Sequence, residues 1–271
     1  MDGLPATQEP VIIFEDVSIA FDDNKVLDRL SFTLWHGQTK ALFGVAGTGK
    51  TLVLKLAMGL IKPDSGRISV LGQEVSSMRE HELFALRRRI GMIFQESALF
   101  DSLNVEDNVS YRMREEHVAP EECDHRVREA LRFVELEHTM KLFPSELSGG
   151  MRRRVAIARA IVNEPELLLY DSPTAGLDPM TSTTIVELLV KQRDVYQTSA
   201  LLVTHRLQDA FTMATHRFNL AENKMVEVPH GSNWDSKTSF LVLKDGLKIF
   251  EGSAEEIATS DDPYIREYLT S

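Results

Sequence analysis

The chain has little of several residue types, and each scarcity excludes a class of protein. It has one cysteine, Cys123, so no intramolecular disulfide can form, which favours a reducing compartment. The acidic neighbours Glu121 and Glu122 disfavour the thiolate, so we expect Cys123 to be structural. An excess of positive charge is also absent: 30 Lys and Arg face 41 Asp and Glu, and the formal net charge of −11 argues against nucleic acid as a partner and against adsorption to anionic lipid.

Long apolar runs are missing as well. No run reaches the about 18 residues that would cross a bilayer, so any role at a membrane requires a partner. Residues 1–10 lack the apolar segment of a signal peptide and are predicted to be a disordered N-terminus. The basic runs at 87–89 and 152–154 are expected to be solvated helix faces or local salt bridges.

The hydrophobic content of 43% is enough for a full core, and its pattern predicts the fold class. Buried strands are predicted at 39–43, 90–94, 167–170 and 199–203, and helices at 52–60, 150–163, 179–196 and 206–214. This alternation predicts an α/β fold, with a mostly parallel sheet and helices on both faces. The β-rich segments 11–14 and 17–21 predict additional N-terminal antiparallel strands.

The same patterns divide the chain into regions. Residues 97–146 carry helix formers and no strand signal, which predicts a helical lobe inserted into the core. We assign residues 11–95 and 151–222 to the core, 96–150 to the helical lobe, and 223–271 to C-terminal strands and helices. An inserted loop is predicted near 230–238, with Trp234 exposed.

The most specific motif fits G-x-x-x-x-G-K-[ST] and lies between the strand at 39–43 and the helix at 52–60. Glycines in such a loop turn backbone N–H groups inward around a phosphate. Lys50 supplies positive charge between the β- and γ-phosphates, and the Thr51 hydroxyl can ligate Mg²⁺. The sequence therefore predicts a loop that binds a nucleoside triphosphate, formed by Gly44, Val45, Ala46, Gly47, Thr48, Gly49, Lys50 and Thr51.

Two weaker motifs gain meaning from this loop. Asp171 ends the apolar segment 167–170, a placement typical of an acid that holds the Mg²⁺ shell. Ser148, Gly149 and Gly150 precede a helix and form a second candidate anion site, from a hydroxyl, free N–H groups and the helix dipole. Taken alone, these three residues are equally typical of a plain helix N-cap.

The phosphate loop, Gln95, residues 147–151, Asp171, residues 175–178 and His205 occur in one order. Together they resemble the ATP-binding subunit of an ATP-binding cassette (ABC) transporter over residues 11–221. The resemblance implies ATP and Mg²⁺ as ligands and a head-to-tail dimer with a second copy. Each ATP would lie between the phosphate loop of one subunit and Ser148, Gly149 and Gly150 of the other. It also implies a membrane permease as partner, and hence a peripheral place on the cytoplasmic face of the inner or plasma membrane.

The resemblance further implies individual roles. Phe21, where the family usually has Tyr, would stack on adenine. Gln95 would sense Mg²⁺ and the attacking water, so that Thr51, Gln95 and Asp171 form the metal set. Asp178 would link the two sites of the dimer, and His205 would contact the γ-phosphate.

Ser172 departs from the family pattern, because the residue after the Mg²⁺ aspartate is usually a glutamate that polarises water. A hydroxyl orients water but accepts a proton poorly, so hydrolysis is expected to be slow while ATP binding persists. Three explanations stay open. The site is degenerate and cycles slowly, with His205 as a substitute base; or the chain pairs with a competent cassette; or the residue was altered to trap the ATP-bound state.

The apolar segment 94–105, with residues 146–151 and 175–179, resembles the Mce-type group of cassettes. That group drives phospholipid or sterol movement, which implies an extracytoplasmic Mce-type lipid-binding protein as a further partner. Residues 98–100 would suit either docking of a permease helix or the core of the lobe. Two alternatives remain, namely an importer cassette for a small polar solute and a regulatory, binding-only cassette. A DNA-repair or translation-factor ATPase would need a coiled-coil insertion or two cassettes, which the sequence lacks.

Overall fold

The computed structural model of the chain describes residues 9–22, 24–45, 47–228 and 237–270, with the side chains of 268 and 270 left aside. The predictions for residues 1–8, for Ala46 and for the loop around Trp234 therefore lie outside the described residues. Within the described ranges, no helix has both the length and the apolar composition needed to cross a membrane.

A six-stranded sheet forms the centre of the molecule, in the order β12-β11-β3-β8-β7-β6. All neighbouring strands are parallel except the antiparallel pair β11–β12. Alternate residues of the central strands face two different cores: Leu42 and Leu201 lie on one side, Ala41 and Leu202 on the other. Burial on both faces explains the uninterrupted apolar runs. The strands are β3 Thr39–Phe43, β6 Ile90–Ile93, β7 Leu167–Asp171, β8 Ser199–Val203, β11 Thr238–Lys244 and β12 Leu247–Gly252.

Helices cover both faces of this sheet, which confirms the predicted fold class. Helix α6 has the predicted bounds, whereas α1 begins at Lys50 because Gly49 supplies its N-cap. The helices of the core are α1 Lys50–Ala57, α2 Glu80–Arg87, α5 Gly149–Ile161, α6 Pro179–Tyr196 and α7 Leu207–Thr215.

The N-terminal strands form a separate antiparallel sheet in the order β2-β1-β4-β5. The two predicted segments 11–14 and 17–21 are a single strand, because the break between them is a bulge at Asp16, where φ is 49°. The strands are β1 Pro10–Phe21, β2 Asn24–Trp35, β4 Ser65–Val70 and β5 Gln73–Glu74.

Between β6 and β7 the chain first forms a loop at residues 94–104 and then helical elements, namely α3 Val105–Glu115, α4 Pro120–Phe133, two short 3₁₀ turns and α5. Asn104 caps α3 by accepting a hydrogen bond from the N–H of Asp107 at 2.8 Å. Cys123 lies buried on the inner face of α4 with Val127 and Leu131.

The C-terminal region contributes to the core sheet. The strands β9 His216–Asn219 and β10 Lys224–Glu227 form a small sheet of their own, followed later by α8 Ala254–Ala258 and α9 Pro263–Thr270. Strand β11, however, pairs with β3, with Phe240 opposite Ala41. Residues 238–252 thus belong to the core sheet, although the sequence analysis grouped them with 223–271. A local pattern identifies a buried strand but does not identify the strand that it pairs with.

Candidate functional site

The carboxyl edge of the parallel sheet gathers four of the predicted site segments. The phosphate loop follows β3, His205 follows β8, Asp171 ends β7 and Gln95 follows β6. The register aligns them, since Leu42 lies opposite Val203 and Val203 opposite Asp171. This is the edge of an open α/β sheet at which ligands bind.

The phosphate loop is closed on itself by Lys50. Its Nζ donates hydrogen bonds to the carbonyl oxygens of Gly44 at 2.7 Å and Val45 at 2.8 Å. The Thr48 hydroxyl donates to the same Val45 oxygen at 2.9 Å. Burial lowers the pKa of Lys50, and the nearby carboxylate of Asp171 opposes that shift. A half-buried ammonium whose described hydrogen bonds go to carbonyl oxygens is well placed to exchange them for phosphate oxygens.

Two glycines of the loop are required by its geometry. Gly49 has φ 86°, and a Cβ on it would lie 2.9 Å from Val26 Cγ1. A Cβ on Gly44 would lie 2.6 Å from the carbonyl oxygen of Leu243. The loop therefore fits closely between β2 and β11, and its N–H groups are presented at the start of α1.

Phe21 lies in the other sheet, at the tip of the β1–β2 hairpin, where it pairs with Asn24. Its ring is exposed, at 49%. Since Val26 of the same hairpin contacts the Gly49 position, the hairpin tip is adjacent to the phosphate loop. An exposed ring at this place can stack on a base.

Ser172 occupies a strained turn immediately after β7. Its φ is 47° and it is buried, with its N–H donating to the carbonyl oxygen of Val203 at 2.8 Å. The N–H of Ala175 donates back to its carbonyl oxygen at 3.0 Å. The turn thus fixes Ser172 at the sheet edge between β7 and β8, next to Asp171 and near the segment that carries His205.

The remaining predicted residues form a second cluster, where the starts of α5 and α6 meet. Ser148 Oγ accepts a hydrogen bond from the N–H of Met151 at 3.2 Å, so it caps α5 as the plain N-cap interpretation requires. Asp178 caps α6 by accepting from the N–H of Thr181 at 3.0 Å, and the hydrogen bonds from Thr181 lower the pKa of Asp178. A Cβ on Gly150 would lie 2.5 Å from Thr181 Cγ2, whereas one on Gly149 would meet nothing closer than 3.9 Å.

Arg153 is a functional candidate that the sequence analysis missed. It is buried, and it donates to the carbonyl oxygens of Phe94 at 2.7 Å and Ala175 at 3.3 Å. It thus ties the segment around Gln95 to the segment before Asp178. The expectation of solvated or salt-bridged side chains at 152–154 was wrong, because Arg152 and Arg154 also bind backbone carbonyls. The partners of Arg153 and Arg154 come from other segments, so no local signal identifies them.

Two further groups complete the surroundings. The basic run at 87–89 does form salt bridges, as expected, including Arg89 with Glu166 at 2.5 Å. Near His205, the buried carboxyl of Asp209 accepts a hydrogen bond from Thr174, and burial raises the pKa of Asp209. Asp209 therefore connects the start of α7 to the turn that contains Ser172.

A phosphate loop at the edge of a parallel sheet, with a separate capped Ser-Gly-Gly helix start, defines an ABC-type ATPase cassette. The chain belongs to the ABC transporter family, whose model matches residues 27–175.

Two relatives and one solved structure show how far the similarity extends. The intermembrane phospholipid transport system ATP-binding protein MlaF of Escherichia coli K12 is 34% identical over 96% of this chain and 88% of its own length. The chloroplastic protein TRIGALACTOSYLDIACYLGLYCEROL 3 of Arabidopsis thaliana is 34% identical over 99% of this chain and 76% of its own. The ATP-binding cassette MJ0796, in a dimeric post-hydrolysis state bound to ADP and Pi, is 26% identical, with a TM-score of 0.74 over 89% of this chain and 98% of its own.

Proposed function

We propose that the chain is the ATP-binding subunit of a transporter that moves lipids between membranes, and that it acts as a head-to-tail dimer. The observation that carries this proposal is the separation of the site into two clusters. One cluster surrounds the phosphate loop, and the other lies at the starts of α5 and α6. Each is half of a site that a second copy, related by two-fold symmetry, would complete.

The second cluster has the surface of an interface. Met180, near Asp178, is 84% exposed, and Gly149 is exposed as well. An exposed methionine beside an exposed helix start suits a contact that closes over an anion. The solved cassette MJ0796 is dimeric with ADP and Pi, which supports a dimer for this chain.

The sheet edge suits ATP with Mg²⁺. Thr51 and Gln95 are exposed and Asp171 is at the edge, so a hydroxyl, an amide and a carboxylate oxygen are available, the hard donors that Mg²⁺ prefers. The ion would neutralise charge on the phosphates. Lys50 would exchange its carbonyl partners for the β- and γ-phosphates, and Phe21 would stack on adenine.

Hydrolysis is proposed to be slow. Ser172 stands where the family usually has a glutamate, and a hydroxyl is a poor proton acceptor. His205 is exposed at the same edge and is the candidate for a substitute base. Ser172 also favours a second candidate function, namely a regulatory cassette that pairs with a cassette competent in hydrolysis.

The permease is proposed to dock at the segment after β6. A cavity of about 300 Å³ there is lined by apolar and aromatic side chains, among them Met92, Phe94, Phe100 and Tyr111, and also by Arg112 and Arg159. Phe100 is 44% exposed, whereas Leu99 packs against the core. Of the two interpretations of residues 98–100, Phe100 fits docking and Leu99 fits the core of the lobe.

The lipid substrate and the remaining partners rest on the relatives. Both relatives are similar to most of this chain, and the name of MlaF assigns that protein to intermembrane phospholipid transport. We therefore propose a lipid as the substrate, an extracytoplasmic Mce-type lipid-binding protein as a partner, and attachment through the permease to the cytoplasmic face of the membrane.

A complementation experiment tests the divided site. Lys50→Ala removes the charge of the phosphate loop, and Ser148→Arg blocks the second cluster, so each variant alone should stay monomeric with MgATP. A mixture contains one intact pairing, the loop of one variant with the Ser-Gly-Gly turn of the other, and should form dimers, as measured by light scattering. Dimers of Ser148→Arg alone, or none in the mixture, would contradict the proposal.

Docking is tested by co-purification with the permease. Phe100→Asp should weaken the complex, because it removes the exposed aromatic ring against which an apolar side chain of the permease would pack. Leu247→Asp is the matched control, because Leu247 is 46% exposed on β12, away from this cavity. Equal recovery of both complexes would count against this docking site.

A further inference from the structure

We propose that Tyr264, on the C-terminal helix α9, is a positioning residue of the nucleotide site. The inference rests on the proposed nucleotide binding and extends it to a segment that lies beyond the residues matched to the family, 27–175. Helix α9 would thereby contribute to the affinity of the site for nucleotide.

The contact is made by the phenol oxygen. The N–H of Val45, in the phosphate loop, donates to Tyr264 Oη at 3.1 Å. The same hydroxyl donates to the carbonyl oxygen of Leu243 at 3.4 Å, at the end of β11. A phenol has one donor and an acceptor, so both functions are used. Tyr264 thus bridges the loop and the strand beside it.

The place of this contact is significant, because the Gly44–Val45 peptide is held from two sides. Its oxygen accepts from Lys50 Nζ at 2.7 Å, and its N–H donates to Tyr264. When Lys50 turns to a phosphate, the first of these contacts is lost. Among the described residues, the hydroxyl of Tyr264 then remains as the hydrogen-bond partner that keeps this peptide in its orientation.

Helix α9 is firmly docked in this position. Ile265 is 2% exposed, and Leu269 packs against the same core. Asp262 accepts a hydrogen bond from the N–H of Tyr264 at 2.8 Å, and Lys244 Nζ lies 4.9 Å from the centre of its ring. The phenol therefore reaches the loop from a fixed element.

The direction of the effect follows from preorganisation. A loop held in its binding conformation loses less entropy when the phosphate binds, so the hydroxyl should increase nucleotide affinity. Linkage is reciprocal, so bound nucleotide should in turn stabilise the docking of α9. A contact that only supported the fold would not respond to the nucleotide.

The test uses Tyr264→Phe in the full chain, which removes the hydroxyl and keeps the ring. With fluorescent MgADP, we expect the Kd to rise by about threefold to tenfold, the range of one hydrogen bond. In the wild type, ADP should slow hydrogen exchange of residues 263–270, and in Tyr264→Phe this protection should be lost. Tyr196→Phe is the matched control, because Tyr196 lies at the end of α6 and packs on Phe133.

Two outcomes would overturn the inference: an ADP affinity of Tyr264→Phe equal to that of the wild type, or exchange in α9 that does not respond to ADP. If wild-type chain binds no MgADP at all, the proposed function fails along with it. If wild type binds and Tyr264→Phe binds equally well, only the role of Tyr264 fails.

Discussion

At the scale of single residues, the adjacent glycines at the start of α5, Gly149 and Gly150, have different surroundings. Gly150 allows close approach of α6, since a Cβ on it would come 2.5 Å from Thr181 Cγ2. A Cβ on Gly149 would make only ordinary contacts, at 3.9 Å from Arg152 and Leu177, and Gly149 is exposed. Gly150 is therefore a packing glycine, and we propose that Gly149 is the one that faces the nucleotide of the other subunit.

Because of this difference, alanine at Gly150 and alanine at Gly149 should affect different properties of the protein. Gly150→Ala should lower the free energy of unfolding by about 1–2 kcal/mol, because α5 and α6 must move apart. Gly149→Ala should change it by less than about 0.5 kcal/mol but weaken ATP-dependent dimerisation. Urea titration and light scattering measure the two effects. Equal stability of the two variants would show that Gly150 does not set the helix distance.

The sequence predicted individual site residues where a motif fixes them, and missed those defined by distant partners. The phosphate loop, Asp171 and His205 follow buried strands, so the parallel order brings them to one edge. Arg153 and Tyr264 bind backbone groups of other segments, at Phe94 and Val45, which no local pattern encodes.

At the scale of elements, the loop after β6, residues 94–104, is held in place by hydrogen bonds from two side chains. Fully buried Asn108 accepts from the N–H of Phe100 at 2.8 Å and donates to the carbonyl oxygen of Leu103 at 2.9 Å. Arg159 donates to the carbonyl oxygens of Ala98 at 2.7 Å and Ser97 at 2.9 Å. If a permease helix docks here as proposed, a loop held in this way would transmit its position to Gln95.

Asn108→Ala should therefore lower the free energy of unfolding by about 2–4 kcal/mol, since several backbone groups lose their buried partner. The matched control is Asn104→Ala, which removes only the cap of α3 and should cost about 1 kcal/mol. Urea titrations compare the two variants. A loss for Asn108→Ala no larger than that for Asn104→Ala would contradict the rigid-loop account.

Elements with a strong period were predicted well, and those shaped by tertiary contacts less well. Helix α6, with Pro179 at its start, and β8 have the predicted bounds. The predicted break in β1 is a bulge, because partners on β2 and β4 continue the ladder on both sides of Asp16.

At the scale of the whole molecule, the C-terminal region closes the core. Strand β11 supplies a parallel neighbour to β3, and the buried Lys40 binds Glu251 of β12 at 2.7 Å. The sequence predicted these strands but not their place, because pairing over such a separation depends on topology. The phosphate loop is consequently framed by the last part of the chain.

The Lys40–Glu251 pair predicts a dependence on pH. Burial raises the pKa of Glu251, but hydrogen bonds from Lys248 and Lys40 outweigh it, so this pKa lies below its usual value of 4.5. The pair therefore stabilises the fold above pH 4.5, and the contribution is lost as the pH falls through the lower, folded-state pKa.

Glu251→Gln should be less stable than the wild type at pH 7, because the ammonium of Lys40 loses its charged partner. It should also lose less stability on acidification, since one depressed carboxyl is gone. Urea titrations at pH 7 and below pH 4.5 provide the comparison. The same loss in both proteins would show that the pair does not link β12 to the core.

The chain is an ATP-binding cassette, and we propose that Ser172 limits its hydrolysis of ATP. The most direct test is the ATPase rate of the chain, alone and with its permease, compared with that of Ser172→Glu. The account predicts tight ATP binding in both and a rate increase of about 10²–10⁴-fold with glutamate. A robust wild-type rate that is lost in His205→Ala and not increased by glutamate would contradict it.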